Sequence, residues 1–183
     1  PAASPAPATP PGPGTPPGPG TATGPATGVG TDAAGGELAG AVGLAAVHGP
    51  AVSVELDDAP PSSRRGPYPA GIRTPGPDDL VVHQQDVQAV VNALWHGGAE
   101  AMTIMDLRVT ARTAVRCVGN TLLLQGRVFS PPFRITAVGD GAAMQASLRD
   151  DPQVTIYRQY VDAYRLGYRV SQGPDATLPA ARP

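Results

Sequence analysis

Hydrophobic and polar residues follow two different periods along the middle of the chain. Residues 51–57 alternate at every second position, which predicts a strand with one buried face. Apolar residues then recur at helical spacing, which predicts an amphipathic helix with Asp86 in its first turn and a stop at Gly97-Gly98. The residues of this apolar stripe are Val87, Val90, Val91, Leu94 and Trp95. The sequence EAMTIM at residues 100–105 predicts a buried strand.

The pattern after residue 110 predicts a hairpin, a strand and a second helix. Gly119-Asn120 is a favourable tight turn between the two strands of a hairpin. Pro131-Pro132 interrupts the pairing, and apolar alternation resumes at residues 133–137. Asp140 is placed to cap a helix over residues 141–149.

The two ends of the folded region are also predicted from the pattern. Four residues at helical spacing predict a short helix that Gly167 closes, and they are Tyr157, Tyr160, Val161 and Tyr164. Residues 168–171 predict the last strand, with a polar tail from Gly173 onward. Near the other end, residues 37–47 predict a short helix.

Without the inserted hairpin, the predicted elements follow the order β-α-β-β-α-β, which is the split ferredoxin-like pattern. The predicted fold class is therefore α+β: a ferredoxin-like βαββαβ antiparallel sheet with helices on one face, plus an inserted β-hairpin and a disordered N-terminal tail. The predicted boundaries are a Pro/Ala/Gly-rich linker over residues 1–36, an α/β domain over residues 37–173 and a flexible tail over residues 174–183. Residues 58–77 form a long Pro-rich loop, and such loops are commonly either functional or disordered.

Composition narrows the classes of function. Residues 1–30 carry no charge, which predicts an extended, partly polyproline-II linker; a proline-rich docking ligand is the alternative. The net charge of −2 gives no indication of a nucleic-acid partner. Cys117 is the single cysteine, which excludes an internal disulfide and a cysteine-based zinc cluster. The sequence has no run of about 18 apolar residues, so we expect no membrane span within it.

Four stretches of the sequence form a recognisable series: GPAVSVELDDAP, DDLVVHQQDVQAVVNALWHGGAEAMTIMDLRV, AVRCVGNTLLLQGRVFSPPFRITAVGD and YRQYVDAYRLGY. They resemble a bacterial family, the domain of unknown function 881 proteins. The succession RCVGN, SPPF and AVGD is the most specific part, because each piece follows the last at the expected spacing. The resemblance extends over residues 50–60 and 78–171.

The resemblance implies a location rather than a mechanism. Family members typically carry one N-terminal membrane helix, then a coiled coil, then this α/β domain outside the cytoplasm, and some are encoded near cell-division genes. No enzymatic activity or cofactor is established for them. The chain begins at Pro1 rather than Met, which is typical of a fragment. The resemblance then implies a longer protein with a membrane anchor upstream of this chain. A Pro/Ala/Gly segment replaces the coiled coil here, so coiled-coil dimerisation does not carry over and the oligomeric state stays open.

Acidic side chains at predicted element ends form the first candidate site, for a small ligand or a metal. They are Asp57, Asp58, Asp78, Asp79, His83 and Asp86, with the histidine as an additional ligand. Carboxylate oxygens suit a hard cation. The spacing matches no metal motif, however, and strand-end and helix-cap roles explain the same aspartates.

Arginines form the second candidate, a contact for an anionic partner. They are Arg108, Arg112, Arg116, Arg127 and Arg134, and the only acid near them is Asp106. Such an excess suits an anionic lipid head group, a cell-wall polymer or a partner protein. Nucleic acid is not expected, because no aromatic residues interleave with the arginines. Alternation offers the simpler interpretation of a solvated sheet face, with Arg116 pointing away from Val115 and Cys117.

Two further groups indicate structure rather than chemistry. Cys117 could pair with His83 or His96 as a nucleophile, but its apolar strand is typical of an inert thiol. The tyrosines at residues 157–168 are typical of core packing, with a partner-facing patch as the alternative. No catalytic set and no cofactor are therefore expected.

The sequence leads to one expected function and two alternatives. We expect a non-enzymatic interaction domain of a membrane-anchored envelope protein, on the extracytoplasmic side of the plasma membrane, with a protein or envelope partner in division or wall assembly. A sensory domain that binds a small molecule or metal through the 58–77 loop and Asp78-Asp79 is the alternative. A hydrolase is the more distant one.

Overall fold

Eight strands and three α-helices form the part of the chain that the structure, a computed structural model, describes, which is residues 43–181. The strands are β1 (Val47–Asp57), β2 (Ala99–Ile104), β3 (Leu107–Arg108), β4 (Val115–Val118), β5 (Thr121–Leu124), β6 (Arg127–Phe129), β7 (Phe133–Gly139) and β8 (Gly167–Leu178). The helices are α1 (Gln84–His96), α2 (Gly141–Asp150) and α3 (Pro152–Tyr164). The protein is thus a mixed α+β domain, and the expected N-terminal tail lies outside the described residues.

The main sheet has five strands in the order β3-β2-β7-β1-β8, and every neighbouring pair is antiparallel. Alternation along β1 is as the sequence predicts. Val52, Val54 and Leu56 are fully buried against the face that the helices cover. Ala51, which precedes Val52, belongs to a smaller cluster on the opposite face, which we call the back face. Both faces of the centre of this sheet are therefore partly covered.

A separate three-stranded sheet, β4-β5-β6, replaces the single hairpin that the sequence predicts. The first turn is the expected Gly119-Asn120. A second turn follows at Gln125-Gly126, where both residues have positive φ, 49° and 75°. Residues around it pair again, so the insert is a meander of three strands. Its inner face packs Leu122 and Leu124 into the main core, where both are fully buried.

Side-chain caps start all three helices. The backbone N–H of His83 donates to Asp86 at the start of α1, at 2.7 Å. Asp140 accepts from the N–H groups of two alanines at the start of α2, as predicted. Asp151 does the same for α3, which also has Pro152 at its first position. The end of α3 corrects the prediction, because Arg165 rather than Gly167 takes the left-handed position, at φ 67°.

The strand β8 is longer than predicted. Residues 173–178, which the sequence assigns largely to a tail, pair with the start of β1. The register shifts opposite Pro174, between Gly49 and Ala51, and such a bulge tolerates a proline in an edge strand. The helix predicted over residues 37–47 is not present in its described part, where Val47 already begins β1; the rest of it lies outside the described residues.

The ends of β1 and β8 continue to the far side of the sheet, where Arg108 holds them. This arginine is only 4% exposed, and its Nη1 donates to the carbonyl oxygens of Ala45 and Pro179, each at 3.1 Å. The N–H of Ala181 donates to the carbonyl of Gly43 at 2.7 Å. The two chain segments therefore reach from β1 and β8 to the opposite edge strand, β3.

The long loop over residues 58–77 is anchored by its contacts. The Tyr68 and Tyr164 rings meet edge to face at 6.1 Å, and the Tyr164 hydroxyl donates to the carbonyl of Arg73 at 3.2 Å. Tyr157 and Tyr164 are buried, which agrees with the predicted core role, whereas Tyr160 is exposed. Within residues 43–181 no helix combines the length and apolarity that a membrane crossing requires.

We predict that Gly97→Ala destabilises the domain by about 2 kcal/mol. Gly97 has an ordinary φ of −77°, so alanine is not strained there. An added Cβ would instead lie 2.5 Å from the Cα of Met144, a backbone atom of α2 that cannot move alone. Urea unfolding of the full chain measures the loss.

The matched control is Gly173→Ala, since an added Cβ there meets no atom within 4 Å. We expect the unfolding free energy of this variant to stay within about 0.5 kcal/mol of that of the unsubstituted chain. Equal stability of the two variants would show that α1 and α2 are not in close contact at Gly97.

Candidate functional site

Asp57 and Asp58 lie where β1 ends, and hydrogen bonds within the fold occupy both carboxylates. Asp58 accepts from the backbone N–H of Val82 at 2.9 Å and from the Asn120 amide at 3.3 Å. Asp57 accepts from the N–H of Asp58 at 2.9 Å. Asp58 therefore joins three separate parts of the chain: the end of β1, the approach to α1 and the first turn of the meander.

Asp79 has a comparable local role in the turn before α1. It accepts from the Gly76 N–H and from the Arg73 guanidinium, each at 2.7 Å. These hydrogen bonds lower the pKa of the Asp79 carboxyl, with that from Arg73 as the larger cause. Asp78 beside it is exposed.

His83 and Asp86 meet at the start of α1. The His83 Nδ1 lies 3.6 Å from the Asp86 carboxylate, which also accepts the His83 backbone N–H. Burial raises the pKa of the Asp86 carboxyl, and the hydrogen bond from the His83 backbone opposes this effect. The pair is a half-buried cap rather than an open cleft.

The six residues of the acidic candidate site are thus divided among three hydrogen-bonded groups. In residues 43–181 no group of three or more His, Cys, Asp or Glu side chains is placed to hold a metal ion. A ligand role for Asp57, Asp58, Asp78, Asp79, His83 and Asp86 stays a prediction, and the observed contacts are those of caps and strand ends.

Cys117 lies on the inner face of the meander and is half-buried. Burial raises the pKa of its thiol, and the charge of Asp86 adds to the rise. A raised pKa leaves less of the reactive thiolate at neutral pH. The environment is therefore that of a structural thiol. His96 is at the exposed end of α1.

Two of the five predicted contact arginines are used within the fold. Arg108 is buried and bonded to backbone carbonyls, so it does not lie on a contact surface; this corrects the prediction for that residue. Burial lowers the pKa of its guanidinium. Arg134 is exposed but pairs with Asp106 at 2.8 Å, which neutralises part of its charge.

The other three arginines are exposed on or beside the meander. Arg116 is in β4, Arg127 begins the edge strand β6, and Arg112 lies in the loop before β4. The Arg127 guanidinium stacks over the Phe129 ring at 5.1 Å. In residues 107–139 there is no acidic side chain, so this part of the surface is net positive.

Apolar residues share one face of the meander with Arg116. The register places Arg116, Leu123 and Val128 side by side on three strands, with Val118 on the same face of β4. Val118 is 67% exposed and Val128 is 66% exposed. We call these four residues the outer face of the meander. It combines apolar side chains with a cation and has no described element packed over its two exposed valines.

The sequence alone identified Arg116 on this face but missed its apolar neighbours. Alternation around Gly119-Asn120 places Val118 with Arg116. The second turn at Gln125-Gly126, which brings Val128 into the same row, is the signal that could have completed the face.

We predict that Asp86→Asn gains stability relative to the parent as pH rises from about 4 to about 7. A raised pKa means that the folded state holds a proton that the unfolded state has lost, so ionisation of Asp86 lowers stability as pH rises. Asparagine keeps an oxygen acceptor for the His83 N–H but does not ionise. Urea unfolding free energies of both proteins across this range measure the difference, and a difference independent of pH would contradict the assigned direction.

Comparisons with known proteins identify a family that this chain matches. A family model described as "Bacterial protein of unknown function (DUF881)" matches residues 36–183. The chain is 32% identical to the UPF0749 protein Rv1823 of Mycobacterium tuberculosis over 140 residues, which is 76% of this chain and 45% of that protein. It is 29% identical to the UPF0749 protein YlxW of Bacillus subtilis over 107 residues, 58% of this chain and 42% of that protein. The chain thus spans less than half the length of these relatives.

A solved structure supports the fold. The crystal structure of an uncharacterized conserved protein from Mycobacterium tuberculosis superposes with a TM-score of 0.61 at 25% sequence identity, covering 80% of this chain and 90% of that one. The family match extends over most of the chain and includes every described strand and helix. The chain therefore belongs to the DUF881 family of bacterial proteins of unknown function.

Proposed function

We propose that this is a non-enzymatic interaction domain of a membrane-anchored envelope protein, and that the outer face of the meander contacts the anionic surface of the membrane. The observation that carries the proposal is the exposure of Val118 and Val128 beside Arg116. The family resemblance supports an extracytoplasmic setting in division or wall assembly.

Exposure of apolar side chains to water is unfavourable, and their transfer into a lipid interface lowers the free energy. Two valines at about two-thirds exposure, with half-buried Leu123 between them in the sheet, form a small apolar surface. Arginines near an anionic membrane contribute about 1 kcal/mol each. Arg116 on the outer face and Arg112 in the loop before β4 are placed to make that contribution, because neither pairs with a carboxylate within residues 43–181. Arg127 does not belong to this face, since it lies opposite Leu124 and stacks on Phe129 on the inner side of the meander.

A lipid surface fits this face better than nucleic acid does. Nucleic-acid surfaces rely on aromatic side chains that stack on bases. The outer face carries aliphatic residues, and the nearby Phe129 points to the inner face beneath Arg127. Aliphatic side chains bordered by arginines are instead suited to the boundary between lipid head groups and acyl chains.

A ferredoxin-like scaffold is the finer fold assignment that we propose. Across the sheet, the four long strands lie in the order β2-β7-β1-β8. Along the chain, α1 connects β1 to β2, and α2 and α3 connect β7 to β8. This order supports the βαββαβ arrangement. Along the chain, the meander lies between β2 and β7, so it is an addition to this scaffold.

The hydrogen-bonded state of the candidate acids supports a non-enzymatic role. Asp58, Asp79 and Asp86 each accept backbone hydrogen bonds that fix turns or helix ends. The thiol of Cys117 has a raised pKa. None of these groups is poised as a general base or nucleophile.

We predict that the full chain sediments with vesicles that contain phosphatidylglycerol and that Arg116→Glu with Val128→Thr lowers this binding about tenfold. The charge reversal replaces attraction with repulsion, and threonine keeps the shape and strand preference of valine while removing apolar surface. Binding should also weaken as salt rises, because the arginines are exposed to screening.

The matched control is Arg149→Glu with Val170→Thr, which makes the same two changes at exposed positions away from the meander. We expect the control to bind like the parent. An equal loss of vesicle binding in both double variants would mean that binding depends only on net charge. The lipid contact would be overturned if the unsubstituted chain did not sediment with the vesicles.

A further inference from the structure

Half of the edge strand β8 has an open edge. β8 pairs with β1 on one side, and no described strand pairs with its other side. Its second half contains Pro174 and Asp175, which are typical of residues that block further pairing at a sheet edge. Residues 167–172, with the sequence GYRVSQ, contain neither a proline nor an acid. The Gly167 carbonyl already accepts from the Tyr157 hydroxyl at 2.8 Å, so the backbone groups that can accept another strand begin at Tyr168.

A cleft of about 220 Å³ lies beside this open half. It is formed between β8 and the two helices α2 and α3, and its lining residues are Gln145, Leu148, Arg149, Arg158, Tyr168 and Val170. Leu148 is buried and Val170 is 37% exposed, so the walls are partly apolar. A strand added at the edge would point alternate side chains toward this cleft.

The charge of this region is positive on the side of β8 that the helices cover. No carboxylate lines the cleft, and within residues 43–181 neither Arg149 nor Arg158 pairs with an acid. Both arginines are exposed. On the back face, Arg169 lies 3.4 Å from Glu55, which is also opposite Arg134 in the register. Because Arg134 also pairs with Asp106, the two carboxylates balance the two arginines on the back face, and the unpaired positive charge lies beside the cleft.

We propose that β8 is a docking edge for an extended acidic peptide segment of a partner protein, which adds as a strand along residues 168–172 and directs carboxylates to Arg149 and Arg158. Backbone hydrogen bonds would supply affinity, and the cleft and its two arginines would select the side chains. This surface is distinct from the outer face of the meander.

Charge also argues for an acidic partner over a second copy of this chain. Two β8 edges paired with each other would bring Arg149, Arg158 and Arg169 of both copies into one interface. Like charges opposed across strands are destabilising. An acidic strand instead offers Arg149 and Arg158 carboxylate partners that the described fold does not supply.

The test uses the full chain and a fluorescent peptide of about six residues that alternates Glu and Val, a usual strand length. Fluorescence anisotropy measures its Kd, and a peptide with Lys in place of Glu is the comparison. We expect the acidic peptide to bind at least tenfold more tightly, and we expect Arg149→Glu with Arg158→Glu to lower its affinity about tenfold. The matched control, Arg116→Glu with Arg127→Glu on the meander, should leave it unchanged.

N-methylated peptides separate strand addition from charge attraction. Successive N–H groups of an extended strand point to opposite edges, so methylating only the Glu or only the Val residues removes donors from one edge. One of the two series should abolish binding and the other should not. Equal effects of both series, equal binding of the Lys peptide, or no binding at about 1 mM peptide would overturn the proposal. Dimerisation of the chain through β8, seen by analytical ultracentrifugation and lost in Val170→Pro, would overturn it in favour of a second copy.

Discussion

The hydrogen bonding of β1 along both of its edges is the constraint on which the rest of the structure depends. β1 pairs with β7 on one side and with β8 on the other, so it joins strands from the middle and the end of the chain. Its Val52, Val54 and Leu56 also form the floor of the helical core. Because these contacts are all distant in sequence, the main sheet forms only when both later strands have reached β1.

The ends of β1 determine where the other parts lie. At one end, Asp58 connects the strand to the approach of α1 and to the first turn of the meander. At the other end, the segments that flank β1 and β8 cross to Arg108 on the opposite edge of the sheet. Asp58 and Arg108 make these contacts, and in the sequence alone both are candidates for a ligand or partner site. What they leave exposed is the outer face of the meander and the open half of β8.

Local signals in the sequence were sufficient for much of this architecture. The apolar stripe of α1, the turn at Gly119-Asn120 and the cap at Asp140 all depend on residues near one another. The structure contains each of them, except that Trp95 at the end of the stripe is 39% exposed. The full extent of β8 could not be predicted, because residues 173–178 have no strand pattern of their own and pair only where β1 offers an edge. The burial of Arg108 has the same origin, since its carbonyl partners belong to the two ends of the domain.

The candidate surfaces show the same division between local and distant information. The sequence shows an excess of arginine between residues 108 and 134, but only the strand register shows that Arg116 shares a face with Leu123 and Val128. Arg149 and Arg158 form no common pattern in the sequence, because they lie on separate helices. They become a pair through the packing of both helices beside β8.

Paramagnetic relaxation measured on bilayers with spin-labelled lipid tests the central claim most directly, because it locates the contact residue by residue. Phosphatidylglycerol nanodiscs with nitroxide-labelled head groups are added to the isotope-labelled full chain, and the loss of each amide signal is recorded. We predict the largest losses at Val118, Leu123 and Val128, with residues 167–172 of β8 little affected. Losses centred on β8 or α3, or spread evenly over the domain, would contradict a membrane contact through the outer face of the meander.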